Sequence, residues 1–118
     1  NNQKINKMSL DIYLQDPKAK NQIDPLYCTN ITHNLGKMAD KAGIYKALWR
    51  PEEIGVKYAK EIIEVVEKGL KDLKARPEYF KQFDSPNKWG IYEHFVPFVA
   101  KYLEALKEYP EAKIEVSR

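Results

Sequence analysis

The chain has 118 residues, a single cysteine, and a formal net charge of +3 from 20 Lys and Arg against 17 Asp and Glu. That length suits one domain with its own hydrophobic core, and 43% hydrophobic with 31% charged residues is a globular rather than a disordered composition. One cysteine excludes an internal disulfide framework and a cysteine-based zinc site and favours a reducing cytoplasm. Cations and acids are interleaved, which argues against a nucleic-acid stripe. No apolar run approaches the ~20 residues that would cross a membrane.

Residues 1–8, NNQKINKM, are polar and read as a frayed tail or an added remnant, with a natural start at Met8 and a single domain over 9–118. LDIYL, residues 10–14, alternates Leu10, Ile12 and Leu14 with Asp11 and Tyr13, the period of a half-buried strand. Residues 15–26 hold two Asp-Pro pairs and read as a loop. YCTNIT, residues 27–32, is a second strand by its β-branched content. A helix over 34–43 follows, with Asn34 as N-cap, Leu35, Met38, Ala39 and Ala42 at helical spacing, and Gly43 as its stop.

Pro51, Glu52 and Glu53 open the next helix, which the pattern carries through residue 74. Its apolar stripe is Val56, Ala59, Ile62, Ile63, Val66, Leu70 and Leu73. Its outer face alternates charge and is read as a solvated surface. A short helix spans 77–83 and a long one 91–108, where Pro97 should break or kink the first turn. AKIEVS, residues 112–117, alternates again as a third strand. The expected fold is α+β: a small antiparallel sheet with the helices packed on one face. Asp11 and Tyr13 lie on the other face, open to water or to another subunit.

No Gly-rich phosphate loop, HExxH or nucleophile elbow occurs, so no catalytic residue, cofactor or metal is assigned. Cys28 reads as a buried structural thiol, facing away from His33 if the strand continues. His94, on the last helix, reads as structural or exposed. His33 stands where a strand becomes a helix. It either bonds a neighbour locally or meets an anion at the helix mouth together with Asn34. Trp49 is either core or a stacking surface, and Arg50 beside it either pairs with Glu52 or Glu53 or forks a phosphate. Asn87, Trp89 and Tyr92 form either a lid over helix ends or a second stacking wall. Arg118 pairs with Asp11 or reaches an anion.

The strings ITHNLGKMADKAGIYKALWRPEE, ARPEYFKQFDSPNKWGIYEHFVPFV and EAKIEVSR resemble a group of small proteins encoded by phages and prophages, mostly without assigned function. The likeness runs from about Met8 to Arg118. The group's pattern has Gly where this chain has Lys88, which makes the loop less free here. The resemblance implies an accessory protein acting in the host bacterial cytoplasm. Proteins of that kind sequester nucleotide immune signals or block host proteins by direct contact. The expectation is therefore a binder of a phosphate-bearing, nucleotide-like ligand through His33, Asn34, Trp49, Arg50, Asn87, Trp89, Tyr92 and Arg118. The alternative is a protein–protein inhibitor or adaptor using the same aromatics as anchors. An enzyme with His33 as general base ranks last. Homo-oligomerisation would bury the sheet's edges and its open face.

Overall fold

A computed structural model describes residues 9–19 and 24–118; the expectations for residues 1–8 and for the middle of the 15–26 loop fall outside the described residues. Three strands, β1 (Ser9–Gln15), β2 (Tyr27–Thr32) and β3 (Lys113–Ser117), form an antiparallel sheet in the order β2-β1-β3. Five α-helices follow the second strand: α1 (Gly36–Lys41), α2 (Tyr45–Trp49), α3 (Ile63–Ala75), α4 (Pro77–Lys81) and α5 (Tyr92–Glu108). The chain is α+β, as the order of its elements implies.

The alternation in β1 decides which face is core. Leu10, Ile12 and Leu14 are all fully buried beneath the helices. The register places Ile31, Thr29 and Tyr27 beside them on one flank, and Val116 and Ile114 on the other. The opposite face carries Asp11 between Asn30 and Ser117, and Tyr13 between Cys28 and Glu115. Cys28 is therefore exposed on that outer face, not buried. Its position directly opposite Tyr13 in the ladder, rather than the usual preference of thiols for the interior, fixes its side.

α3 packs against α5, and α5 against β2. The buried side of α5 is Phe95, Phe98, Val99, Tyr102, Leu103 and Leu106, as its periodicity indicates. Phe95, Phe98 and Tyr102 stack in a row that ends on Tyr27, with centroid separations of 6.1, 6.4 and 6.4 Å. Pro97 does not break α5, which is continuous from Tyr92. Pro97 is exposed, so water can satisfy the carbonyl that loses its intrahelical donor.

Two helix expectations need correction. The 34–43 helix is a 3₁₀ turn, His33–Leu35, running into α1, and its cap is Thr32, whose Oγ1 accepts from the Asn34 N–H at 3.3 Å. The 51–74 helix is three pieces: 3₁₀ turns Pro51–Ile54 and Ala59–Ile62, then α3. Gly55 adopts a left-handed conformation (φ 72°) and stops the first piece. Glu61 restarts the helix by accepting from the Lys57 and Tyr58 N–H groups at 2.7 and 2.9 Å. The stripe from Val56 to Leu73 begins after this stop and continues from the second 3₁₀ turn into α3, which pack on the same core.

Candidate functional site: the strand-to-helix junction and the Arg118 hollow

The turn after β2 is the hub. His33 and Asn34, adjacent in the chain, reach two distant segments. The Trp49 Nε1–H donates to His33 Nδ1 at 2.9 Å, so that nitrogen carries no proton and the ring's proton sits on Nε2. The Asn34 Nδ2–H donates to the Trp89 carbonyl at 2.8 Å. The two segments that the sequence singles out, 49–50 and 87–92, are thus both tied to the same turn.

The tryptophans play opposite parts. Trp49 is 3% exposed, with one face stacked on Tyr45 at 5.3 Å and 14° between planes. Its ring is core, and no ligand face remains on it. Trp89 is 63% exposed. The loop that carries it is held firmly. Asn87 Oδ1 accepts from the Trp89 N–H (2.9 Å) and the Ser85 hydroxyl (2.6 Å), and Lys88 N–H donates to the Ser85 carbonyl. Gly90, at φ 112°, presses on the hub: a Cβ there would stand 3.0 Å from both Asn34 Cβ and Thr32 Cγ2. Tyr92 closes the loop, its hydroxyl donating to the Leu73 carbonyl at 2.7 Å and its N–H to Asp84 Oδ1 at 2.7 Å. Tyr92 is thereby a clamp between α3 and α5.

Two of the arginines, Arg50 and Arg118, flank the Trp49 segment. Arg50 donates to the Tyr45 hydroxyl (3.4 Å) and to Glu53 Oε2 (3.1 Å), which together stabilise its cation further. Arg118 does not meet Asp11 in the contacts it makes here. Its Nη1–H donates to the Trp49 carbonyl at 2.9 Å and its Nη2 pairs with Glu52 at 2.8 Å. That guanidinium holds the Glu52 carboxyl below the usual carboxylate range.

Arg118 also lines a surface hollow of about 560 Å³, together with Pro51, Glu52, Val56, Ile114, Glu115 and Val116. Its lining is part aliphatic (Pro51, Val56, Ile114, Val116) and part charged (Glu52, Glu115, Arg118). Glu52, Val56, Ile114 and Val116 were assigned no binding role from sequence. They come together only because the first 3₁₀ turn lies beside the edge of β3, a pairing more than 50 residues long-range with no local signal. Of the eight residues expected to bind ligand, Arg118 alone lines this hollow; His33, Asn34, Trp49, Arg50, Asn87, Trp89 and Tyr92 do not. His94 is exposed on α5. Among the described residues, no group of three His, Cys, Asp or Glu is placed to hold a metal ion.

The fold and site define a small α+β protein with a junction tied by several hydrogen bonds and an adjoining open hollow. No family model matches the chain, and no curated protein or solved structure is significantly similar to it. No helix among the described residues is long and apolar enough to cross a membrane.

Proposed function

We propose that the protein binds a small phosphate-bearing ligand of nucleotide type without turning it over, and that the ligand sits in the Arg118 hollow. The observation that carries this is the chemistry of that hollow. Its volume of about 560 Å³ falls in the range of ligand sites. Pro51, Val56, Ile114 and Val116 offer an apolar bed for a base. Glu115 can accept from ribose hydroxyls or an exocyclic amine, and Glu52 holds Arg118 until an anion takes its place. Arg118, already oriented by the Trp49 carbonyl, supplies the guanidinium for phosphate. On the resemblance to phage-encoded proteins, such binding would withdraw a nucleotide immune signal and counter bacterial defence in the host cytoplasm.

Titration calorimetry with NAD-derived cyclic nucleotides and cyclic oligonucleotides tests this. The expected result is saturable binding, with the ligand recovered unchanged after heat denaturation. Arg118→Ala should weaken it about 10- to 100-fold, the scale of a charge-assisted hydrogen bond. Absence of binding across the panel overturns the reading.

A second reading, direct contact with a host protein, is favoured by one observation: Trp89 is held 63% exposed on a braced loop. A solvent-facing indole on a hydrogen-bonded loop is among the side chains enriched at binding hot spots. A partner complex lost with Trp89→Ala but kept with Arg118→Ala would select this reading over the first. Under either reading the uncovered β2 edge favours assembly of the chain with itself.

A further inference from the structure

The two edges of the sheet differ. The β3 edge is guarded at its start: Tyr58 bridges Lys113, and the Ile114 N–H donates to the Lys57 carbonyl at 2.9 Å. It also carries Lys113, Glu115 and the terminal Arg118, charges of the kind that keep strand edges from pairing. Among the described residues, the β2 edge has none of these devices. YCTNIT contains no charged residue and no proline. Among the described residues, its strand partner is β1 alone. Its core-side residues Tyr27, Thr29 and Ile31 remain only partly buried, whereas their β1 neighbours Leu14, Ile12 and Leu10 are fully buried. The core is open along this flank.

We infer that β2 pairs antiparallel with β2 of a second copy, joining two sheets into one of six strands with all helices on the same face. The occupant is a second copy because this strand is complementary to itself. A two-fold axis normal to the sheet makes the pairing antiparallel and keeps each face on its own side. Facing residues must then have numbers of the same parity, since a shift by one residue would turn core-side groups to water. The register centred on Thr29 sets Thr29 against its copy. It sets Tyr27 against Ile31 twice on the core side, an aromatic opposite a β-branched residue. On the outer side it sets Cys28 against Asn30. The strand is neutral throughout, so no like charges oppose each other. The hollow at Arg118 lies beyond the opposite edge, so the dimer leaves both copies of it open, and the inference stands independently of the ligand reading.

Sedimentation velocity and oxidative cross-linking of the full chain test this. The wild type is expected to sediment at about twice its 13.8 kDa mass. Cys28→Lys/Asn30→Lys changes two exposed outer-face residues and sets lysine against lysine across the axis. It should sediment as a monomer with an unchanged circular dichroism spectrum. Asn30→Cys places a thiol directly opposite Cys28 of the other copy, within the ~4.5–5.5 Å Cβ separation of facing residues. It should form a covalent dimer on mild oxidation, and Asn30→Cys/Cys28→Ser should not. A wild type that stays monomeric at high concentration overturns the inference. So does a dimer that survives the double lysine change, which would place the contact elsewhere, for instance at Trp89, or an Asn30→Cys protein that does not cross-link.

Discussion

Tyr102 is fully buried in the middle of α5, yet its hydroxyl has no hydrogen-bond partner among the described residues. Burial pushes its phenol up beyond the usual tyrosine range, so it stays neutral in the folded chain. Tyr102→Phe keeps the ring stack with Phe98 and Tyr27 and removes the stranded oxygen. Urea denaturation should show it more stable than wild type by about 1 kcal/mol. The pH dependence has a definite sign. Above pH ~10 the unfolded chain loses this proton while the folded chain keeps it, so stability falls as pH rises. The fall should be shallower in Tyr102→Phe, other tyrosines contributing equally to both. At the hollow, Glu52 and an incoming anion compete for Arg118. Glu52→Gln should tighten phosphate-ligand binding by up to about fivefold, the equivalent of the ~1 kcal/mol at the upper end for an exposed ion pair. Titration calorimetry of the two proteins side by side measures it.

At the scale of elements, the loop 85–90 concentrates constraint. Lys88 sits at φ 64°, a left-handed conformation that costs a residue with a Cβ roughly 1–2 kcal/mol. The loop holds it there because Asn87, Ser85 and Asn34 fix the backbone on either side. Lys88→Gly should therefore raise the melting temperature, while Gly90→Ala should lower it by forcing a Cβ against Thr32 and Asn34. Circular dichroism melts of the pair give shifts of opposite sign. Iodide quenching separates the two indoles this loop and α2 carry: Trp89→Phe should leave only the protected emission of Trp49. The sequence marked this loop by its composition alone. It could not say that the loop docks on the turn after β2, since Gly90 meeting Asn34 is a contact between segments 56 residues apart.

The whole molecule is a three-stranded sheet with one covered face, one polar face and two unequal edges. Amide exchange should reflect that order. The amides of β1, paired on both sides, should exchange slowly at any protein concentration. The outward amides of β2 should gain protection as concentration rises, if the edges pair as inferred. Exchange in β2 that is independent of concentration would count against that pairing.

The sequence by itself determined the fold class, the three strands to within a residue at each end, and the buried sides of β1 and α5. These follow from period: alternation by two or by 3.6 sorts side chains into faces wherever one face is core. It also singled out the residues of the junction. Only the tertiary structure decided what those residues do. It put Trp49 in the core and Trp89 in water, broke the helix expected over 51–74 at Gly55, set Cys28 on the open face, and brought Arg118 to Glu52 beside Val56 and Val116. Those outcomes depend on which distant segments pack together, and packing between segments far apart in the chain leaves no mark in local spacing.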